Sequence, residues 1–114
     1  MFSITPMLGG FQRVVSYPMM GATPTQLVKP DARRAILYVI NGQAANLDLW
    51  PNPTVPFDGQ MPTAIVLASG TLRYTWSQDG PMSTYGYLAA LETGSGAVTV
   101  IEILWLPEQL QGGV

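Results

Sequence analysis

Hydrophobic and polar positions alternate most clearly over Thr71–Trp76, where Leu72, Tyr74 and Trp76 fall on one side of an extended chain and Thr71, Arg73 and Thr75 on the other. Successive side chains of a strand point to opposite faces, so this period of two predicts a strand with one buried face and one wet or partner-facing side. Two longer runs are apolar on both faces. In Arg34–Asn41, Ala35, Leu37 and Val39 oppose Ile36, Tyr38 and Ile40; in Ala97–Leu106, Val98, Val100 and Leu104 oppose Ile101, Ile103 and Trp105. Strands of that kind lie at the centre of a sheet whose outer face is also covered, by a loop or by another subunit. Runs rich in β-branched and aromatic residues predict further strands near Phe11–Tyr17, Thr25–Lys29, Asn46–Trp50, Thr63–Leu67 and Tyr85–Leu91. Ten prolines and 12 glycines break the chain at short intervals, which disfavours long helices. Asn41-Gly42-Gln43, Ser69-Gly70 and Thr93-Gly94-Ser95-Gly96 read as turns, the first and last as hairpin loops. Residues 51–62 hold four prolines and read as a long, stiff, irregular connection. The expectation is an all-β fold, an antiparallel β-sandwich, jelly-roll or Greek-key like, of seven to eight short strands. The sandwich domain spans residues 11–106, between an apolar N-terminal arm over 1–10 and a C-terminal tail over 107–114.

Composition turns this fold into a question about partners. The chain has five Lys and Arg and seven Asp and Glu in 114 residues, while 47% of it is hydrophobic. A soluble domain of this length carries about 28 charged residues at the usual ~25%. Charge keeps a solvated surface free of apolar patches, so a chain this short of it is expected to show much of its surface to other subunits. The folded surface scales to roughly 6,000 Å², and three or four standard contacts of about 800 Å² each would cover about half of it. No stretch spans a membrane: the longest apolar run, Ala35 to Ile40, is far short of the ~20 residues required. Residues 1–10 lack the basic start and long apolar run of a signal peptide. With a net charge of −2 and a pI of about 4.7, bulk attraction to nucleic acid is not expected.

Catalytic chemistry has little to stand on. The chain has no His and no Cys, which removes Ser-His pairs, thiolate nucleophiles and the usual zinc sites. Of the carboxylates, Asp48 and Glu102 lie in predicted strands and could converge on one cleft; the plainer reading is that each is a solvated or interface residue. Gly94-Ser95-Gly96 is a turn and does not lead into a helix, so it is no phosphate loop. No catalytic, metal-binding or cofactor-binding residue is expected, and no cofactor.

The candidate residues are partner-binding. Phe2, Ile4 and Met7 form an apolar arm interrupted by Pro6 and Gly9-Gly10, more suited to contact than to regular pairing. Arg33-Arg34 is the only basic pair, with Lys29 nearby; it reads as a fork clamping an acidic group of a neighbouring subunit, as an intrachain pair with Asp31, or as the wet start of a strand. Tyr74, Trp76, Tyr85 and Tyr87 gather around the Gln78-Asp79-Gly80-Pro81 loop, where Trp76 and Tyr87 read as core packing, as interface anchors or as a sugar-stacking platform. Met19-Met20 and Met61 are soft apolar residues in loops, core filler or adaptable contacts.

The order of elements adds a resemblance. Thr25-Gln-Leu-Val-Lys-Pro-Asp-Ala-Arg-Arg-Ala-Ile-Leu-Tyr-Val-Ile-Asn41 is a short strand, a polar turn, paired arginines and an apolar strand ending in Asn. Tyr87-Leu-Ala-Ala-Leu-Glu-Thr-Gly-Ser-Gly-Ala-Val-Thr-Val-Ile-Glu102 is an Ala-rich strand, a Gly/Ser turn and a final strand of alternating valines closing near a Glu. From Thr25 to Glu102 the chain resembles small β-sandwich virion structural proteins of tailed bacteriophages, differing in its Pro-rich middle loop and apolar arm. The resemblance implies a non-enzymatic virion protein, assembled in the host cytoplasm. Its expected role is a capsid decoration or cement protein that binds the major capsid protein or other virion proteins and stabilises the head shell. A homo-oligomer, a trimer above other small rings, is expected, with neither nucleic acid nor membrane as partner. A tail, neck or fibre-associated module and a carbohydrate- or receptor-binding sandwich are the alternatives.

Overall fold

A computed structural model of the chain describes residues 11–51 and 61–105. Every run read as a strand forms one: β1 (Phe11–Ser16), β3 (Thr25–Val28), β4 (Arg34–Ile40), β5 (Leu47–Pro51), β6 (Ala64–Val66), β7 (Thr71–Thr75), β8 (Tyr87–Leu91) and β10 (Thr99–Trp105). Two further strands of two residues each, β2 (Met19–Met20) and β9 (Gly96–Ala97), pair with each other as a small antiparallel ribbon. The eight longer strands make two four-stranded antiparallel sheets. Sheet I has the order β1-β10-β4-β7, and sheet II the order β3-β8-β5-β6.

The period of two decides what each sheet buries. On sheet I, Leu37, Val39, Val100, Leu104 and Tyr74 face inward; on sheet II, Leu47, Leu49, Val66, Tyr87, Ala89 and Leu91 do. Most of these belong to one shared cluster, so the two sheets pack face to face as a sandwich. Burying a Leu or Val of this kind stabilises the fold by about 1.5–3 kcal/mol relative to leaving it exposed. Tyr74 and Tyr87 stack across the core at a centroid distance of 5.9 Å. Tyr87 finds its hydrogen bond by donating its hydroxyl to the Met82 carbonyl at 2.6 Å. The runs apolar on both faces, β4 and β10, are the two central strands of sheet I, as their pattern requires.

The turns connect differently from the expectation. Asn41-Gly42-Gln43 and Thr93-Gly94-Ser95-Gly96 do not close hairpins. The first carries the chain from β4 in sheet I to β5 in sheet II, and the second from β8 in sheet II through β9 to β10 in sheet I. Among the eight longer strands, only β5 and β6 are both consecutive and paired. Asn41 is the post of the first crossover. It is fully buried and donates Nδ2–H to the carbonyls of Ala45, Val66 and Leu67, while its Oδ1 accepts from the Gln43 N–H. Short polar side chains that bond neighbouring backbone are what such turns use.

Trp76 also departs from its expected place. Thr75 ends β7, and its Oγ1 accepts from the Gln78 N–H while the Thr75 N–H donates to Asp79 Oδ2 at 2.9 Å. This reciprocal cap starts a single helical turn, α1 (Trp76–Asp79), followed by a 3₁₀ turn over Gly80–Ser83. Trp76 therefore leaves the inward row of Leu72 and Tyr74 and lies half-exposed at the rim of sheet I.

Candidate functional site

The outer face of sheet I is assembled by strand register. Opposed positions place Ile36, Tyr38 and Ile40 of β4 beside Ile101 and Ile103 of β10, with Val15, Arg13 and Phe11 of β1 on one flank and Thr71, Arg73 and Thr75 of β7 on the other. Nothing among the described residues covers this face. Tyr38, Ile40, Ile101 and Ile103 floor an open trough of about 490 Å³, with Arg13 and Thr71 at its sides. A second hollow of about 250 Å³ adjoins Ile36 and is walled by Phe11, Trp105 and Trp76. Phe11 and Trp105 are ring neighbours at 4.6 Å and stay about half-exposed, at 56% and 45%. Rigid aromatics at the border of an apolar patch are the usual anchors of protein contacts. Among the described residues, the only charges on this face are Arg13 and Arg73, both exposed and neither in a described ion pair.

The outer face of sheet II differs in sign. Register places Asp48 and Trp50 of β5 beside Leu88 and Ala90 of β8 and Ile65 of β6, with Glu92 just past the end of β8. Ile65 and Leu67 are exposed. Burial, and Glu92 beside it, push the Asp48 carboxyl up to about 6. Neither acid has a cation partner among the described residues. Asp48 Oδ1 and Trp50 Nε1 are buried with no hydrogen-bond partner among the described residues.

Arg34 is the most heavily bonded side chain described. It is 1% exposed. Its Nε donates to Glu102 Oε1 at 3.0 Å, and Nη2 lies 2.9 Å from the same oxygen. Nη1 donates to the carbonyls of Ser83 (3.1 Å) and Tyr85 (2.9 Å), and Nη2 to that of Lys29. Ser83 Oγ returns a bond to the Arg34 carbonyl. One guanidinium thus ties together β4, β10, the loop after β3 and the loop before β8. Gly86 lets the two loops meet, because a Cβ there would lie 2.6 Å from Pro30 Cδ and 2.8 Å from Pro30 N.

The expected site residues fall in different places. Arg34 cannot clamp a neighbour: its donors are spent inside this chain, so the expectation is corrected, and its acidic partner is Glu102 rather than Asp31. Arg33 takes Asp31 instead, at 3.3 Å, and stays accessible. Burial pushes Asp31 up, but the backbone and side-chain hydrogen bonds from Arg33 outweigh it and hold the carboxyl below its usual value. Tyr87 is 1% exposed and belongs to the core, which removes it from any surface platform; burial pushes its phenol above the ordinary range. Trp76 is accessible. Phe2, Ile4 and Met7 lie outside the described residues. Asp48 and Glu102 do not converge, since one faces outward from sheet II and the other inward from sheet I. The sequence reading missed the grouping of Phe11, Val15 and Trp105 with the Ile rows, and the acid pair Asp48–Glu92; the signal for both was the second face of each strand. No protein-family model and no curated protein sequence matches the chain.

Proposed function

We propose that this chain is a non-enzymatic structural subunit of a tailed-bacteriophage particle, a head decoration or cement protein that binds capsid subunits and strengthens the shell. One observation carries the assembly reading: the outer face of sheet I is floored by isoleucines and rimmed by half-exposed Phe11, Trp76 and Trp105, with no cover from the described residues. Scarce charge and the resemblance from Thr25 to Glu102 support the particular kind of assembly. Counted over the eight longer strands, the sheet orders are 1-8-3-6 and 2-7-4-5, which supports a jelly-roll winding, an architecture used by capsid and lectin domains. Many copies, each burying modest apolar area, add their contacts by avidity.

The test is the protein's abundance in purified particles, measured by quantitative mass spectrometry. Hundreds of copies per particle, with heads that lose heat resistance when the gene is deleted, is the expected result. A dozen copies or fewer would move the protein to the tail, neck or fibre. Absence from the particle would overturn the reading. The aromatic rim also suits a second reading, glycan stacking on Trp76 and Trp105; a glycan-array signal lost in Trp76→Ala would favour it.

A further inference from the structure

Residues 11–20 run as one extended segment along residues 96–105. Phe11 opposes Trp105 and Ser16 opposes Val100 in the β1–β10 ladder. The Val98 N–H donates to the Pro18 carbonyl at 3.1 Å, and Met19 and Met20 oppose Ala97 and Gly96 in the β2–β9 ribbon. The register does not slip from one end to the other. Most of this segment nevertheless lies lightly on the domain. Among the described residues, β10 is the one neighbour of β1 in sheet I; no residue of β1 is buried, and none belongs to the core cluster. Only Met20, 2% exposed, is anchored in the core. We propose that copies of this chain exchange the segment: residues 11–20 of one copy lie along residues 96–105 of another. The proposal rests on the reading of the chain as an assembly subunit and names how two copies are joined.

Three observations carry it. First, the slot is specific. Without residues 11–20, β10 would be an open edge presenting Ile101, Ile103 and Trp105 beside unpaired backbone, the kind of edge that natural sheets do not leave bare. The sequence that fits this edge is the one the structure shows in place, with its register and the Phe11–Trp105 ring contact at 4.6 Å. Every copy carries that sequence, so a second copy makes the same contacts with full complementarity. Second, the segment is separable. Because β1 buries no side chain, its departure leaves the facing rows of the two sheets intact and disturbs the core at Met20 alone. Third, the connection to β3 holds slack. The Leu91 N–H donates to the Gly21 carbonyl at 2.7 Å, and Thr25 opposes Ala89. Between these anchors β8 runs only from Leu91 to Ala89, while the connecting chain runs from Gly21 to Thr25. Ala22, Thr23 and Pro24 therefore bulge outward, all exposed. Straightened, this loop carries the segment out of its own domain and into a neighbour's. Pro24 fixes its own φ and biases Thr23 to extended backbone, which favours the straight form. With equal contacts in the two arrangements, the connection and the local concentration decide between them, and subunits gathered on one particle meet at high effective concentration.

The chain has no cysteine, so introduced thiols report the pairing without background. Val15 and Ile101 oppose each other on the outer face of sheet I. Opposed Cα atoms of an antiparallel pair are about 4.5 or 5.5 Å apart, within disulfide range. The full chain carrying Val15→Cys and Ile101→Cys together is oxidised and run on a denaturing gel without reductant. Exchange predicts a covalent dimer or small ring, position 15 of one chain linked to position 101 of the next. A species of one chain mass with its two thiols joined internally overturns the proposal. The two single variants, unfolded, mixed in equal amounts and refolded together, give a second reading by mass spectrometry of the linked peptides. The mixed 15–101 disulfide is expected in excess over either homodimer; no excess means chance collision and overturns the exchange as well. Should the double variant fail to fold by circular dichroism or keep free thiols, Arg13→Cys with Ile103→Cys, likewise opposed, takes its place. Sedimentation velocity on the wild type needs no variant: multimers that persist on dilution are expected, and a monomer at about 100 μM overturns the exchange. The assembly reading is judged separately, by copy number in the particle.

Discussion

Arg34 carries its guanidinium into a space closed to water, and the cost is met by acceptors from β10, from the loop after β3 and from the segment before β8. Removing one partner of a buried ion pair costs about 3–5 kcal/mol, because the other is left uncompensated. Arg34→Ala is therefore expected to lower stability by about that amount, and Arg34→Lys by about 2 kcal/mol, since an ammonium cannot reach Glu102 and three carbonyls together. Chemical denaturation of both variants measures it. Replacing Arg34 and Glu102 by a matched apolar pair is not expected to recover wild-type stability, because the carbonyls of Lys29, Ser83 and Tyr85 would stay buried without donors. The identity of Arg34 as a residue of consequence was legible in the sequence; its direction was not. An arginine at the start of an apolar strand reads the same whether it lies inward or outward, and its acidic partner is 68 residues away. Asp48 gives a second expectation. Its folded pKa of about 6 lies above its ordinary 3.8, so the folded state holds the extra proton. The stabilisation this gives is complete below about pH 4 and is lost as pH rises through about 6. Asp48→Asn should flatten that fall and stabilise the protein above pH 6, on the order of 1 kcal/mol after solvent screening. Unfolding at several pH values, at concentrations below any self-association, reads it.

At the scale of elements, strands were legible and their partners were not. Alternation found β7, runs apolar on both faces found β4 and β10, and β-branched and aromatic runs between breaks found the other five; every longer strand but β1 has at least one buried residue. A turn such as Asn41-Gly42-Gln43 marks only that the chain reverses; whether the next strand pairs with the last one or crosses the sandwich depends on the far side of the core. The end of β7 was misjudged for a related reason. Trp76 continues the alternation, yet Thr75 has both a hydroxyl and a downstream Asp79 with which to cap a helical turn, and local hydrogen bonding outweighs the pattern. The approach of the loop after β3 to the loop before β8 depends on a missing side chain. Gly86→Ala drives a methyl into Pro30, and overpacking of this kind costs about 1–3 kcal/mol. Because the same approach places the Lys29 and Tyr85 carbonyls on Arg34, the effect of Gly86→Ala is expected to be less than additive with that of Arg34→Ala. A double-mutant cycle measures this.

The molecule as a whole separates its stability from its surface. The core between the sheets is complete without the outer face of sheet I, so Ile103→Lys is expected to leave the melting temperature within a few degrees of wild type while reducing apolar-dye binding and self-association; a collapse of the melting temperature would assign Ile103 to the core instead. Scarce charge made an uncovered apolar surface legible, but its location required register, which only the paired strands supply. The place of β10 has a consequence in time. Synthesis runs from the N-terminus, yet the strand that belongs in the middle of sheet I is the last of the eight to be made. Until residues 99–105 have left the ribosome, β1 and β4 have no common neighbour, and both offer open edges to other nascent chains. The only pairing of consecutive long strands that can form early is that of β5 with β6. Folding of the sandwich therefore waits for β10 and is dominated by distant contacts, on the millisecond-to-second scale of such β-topologies.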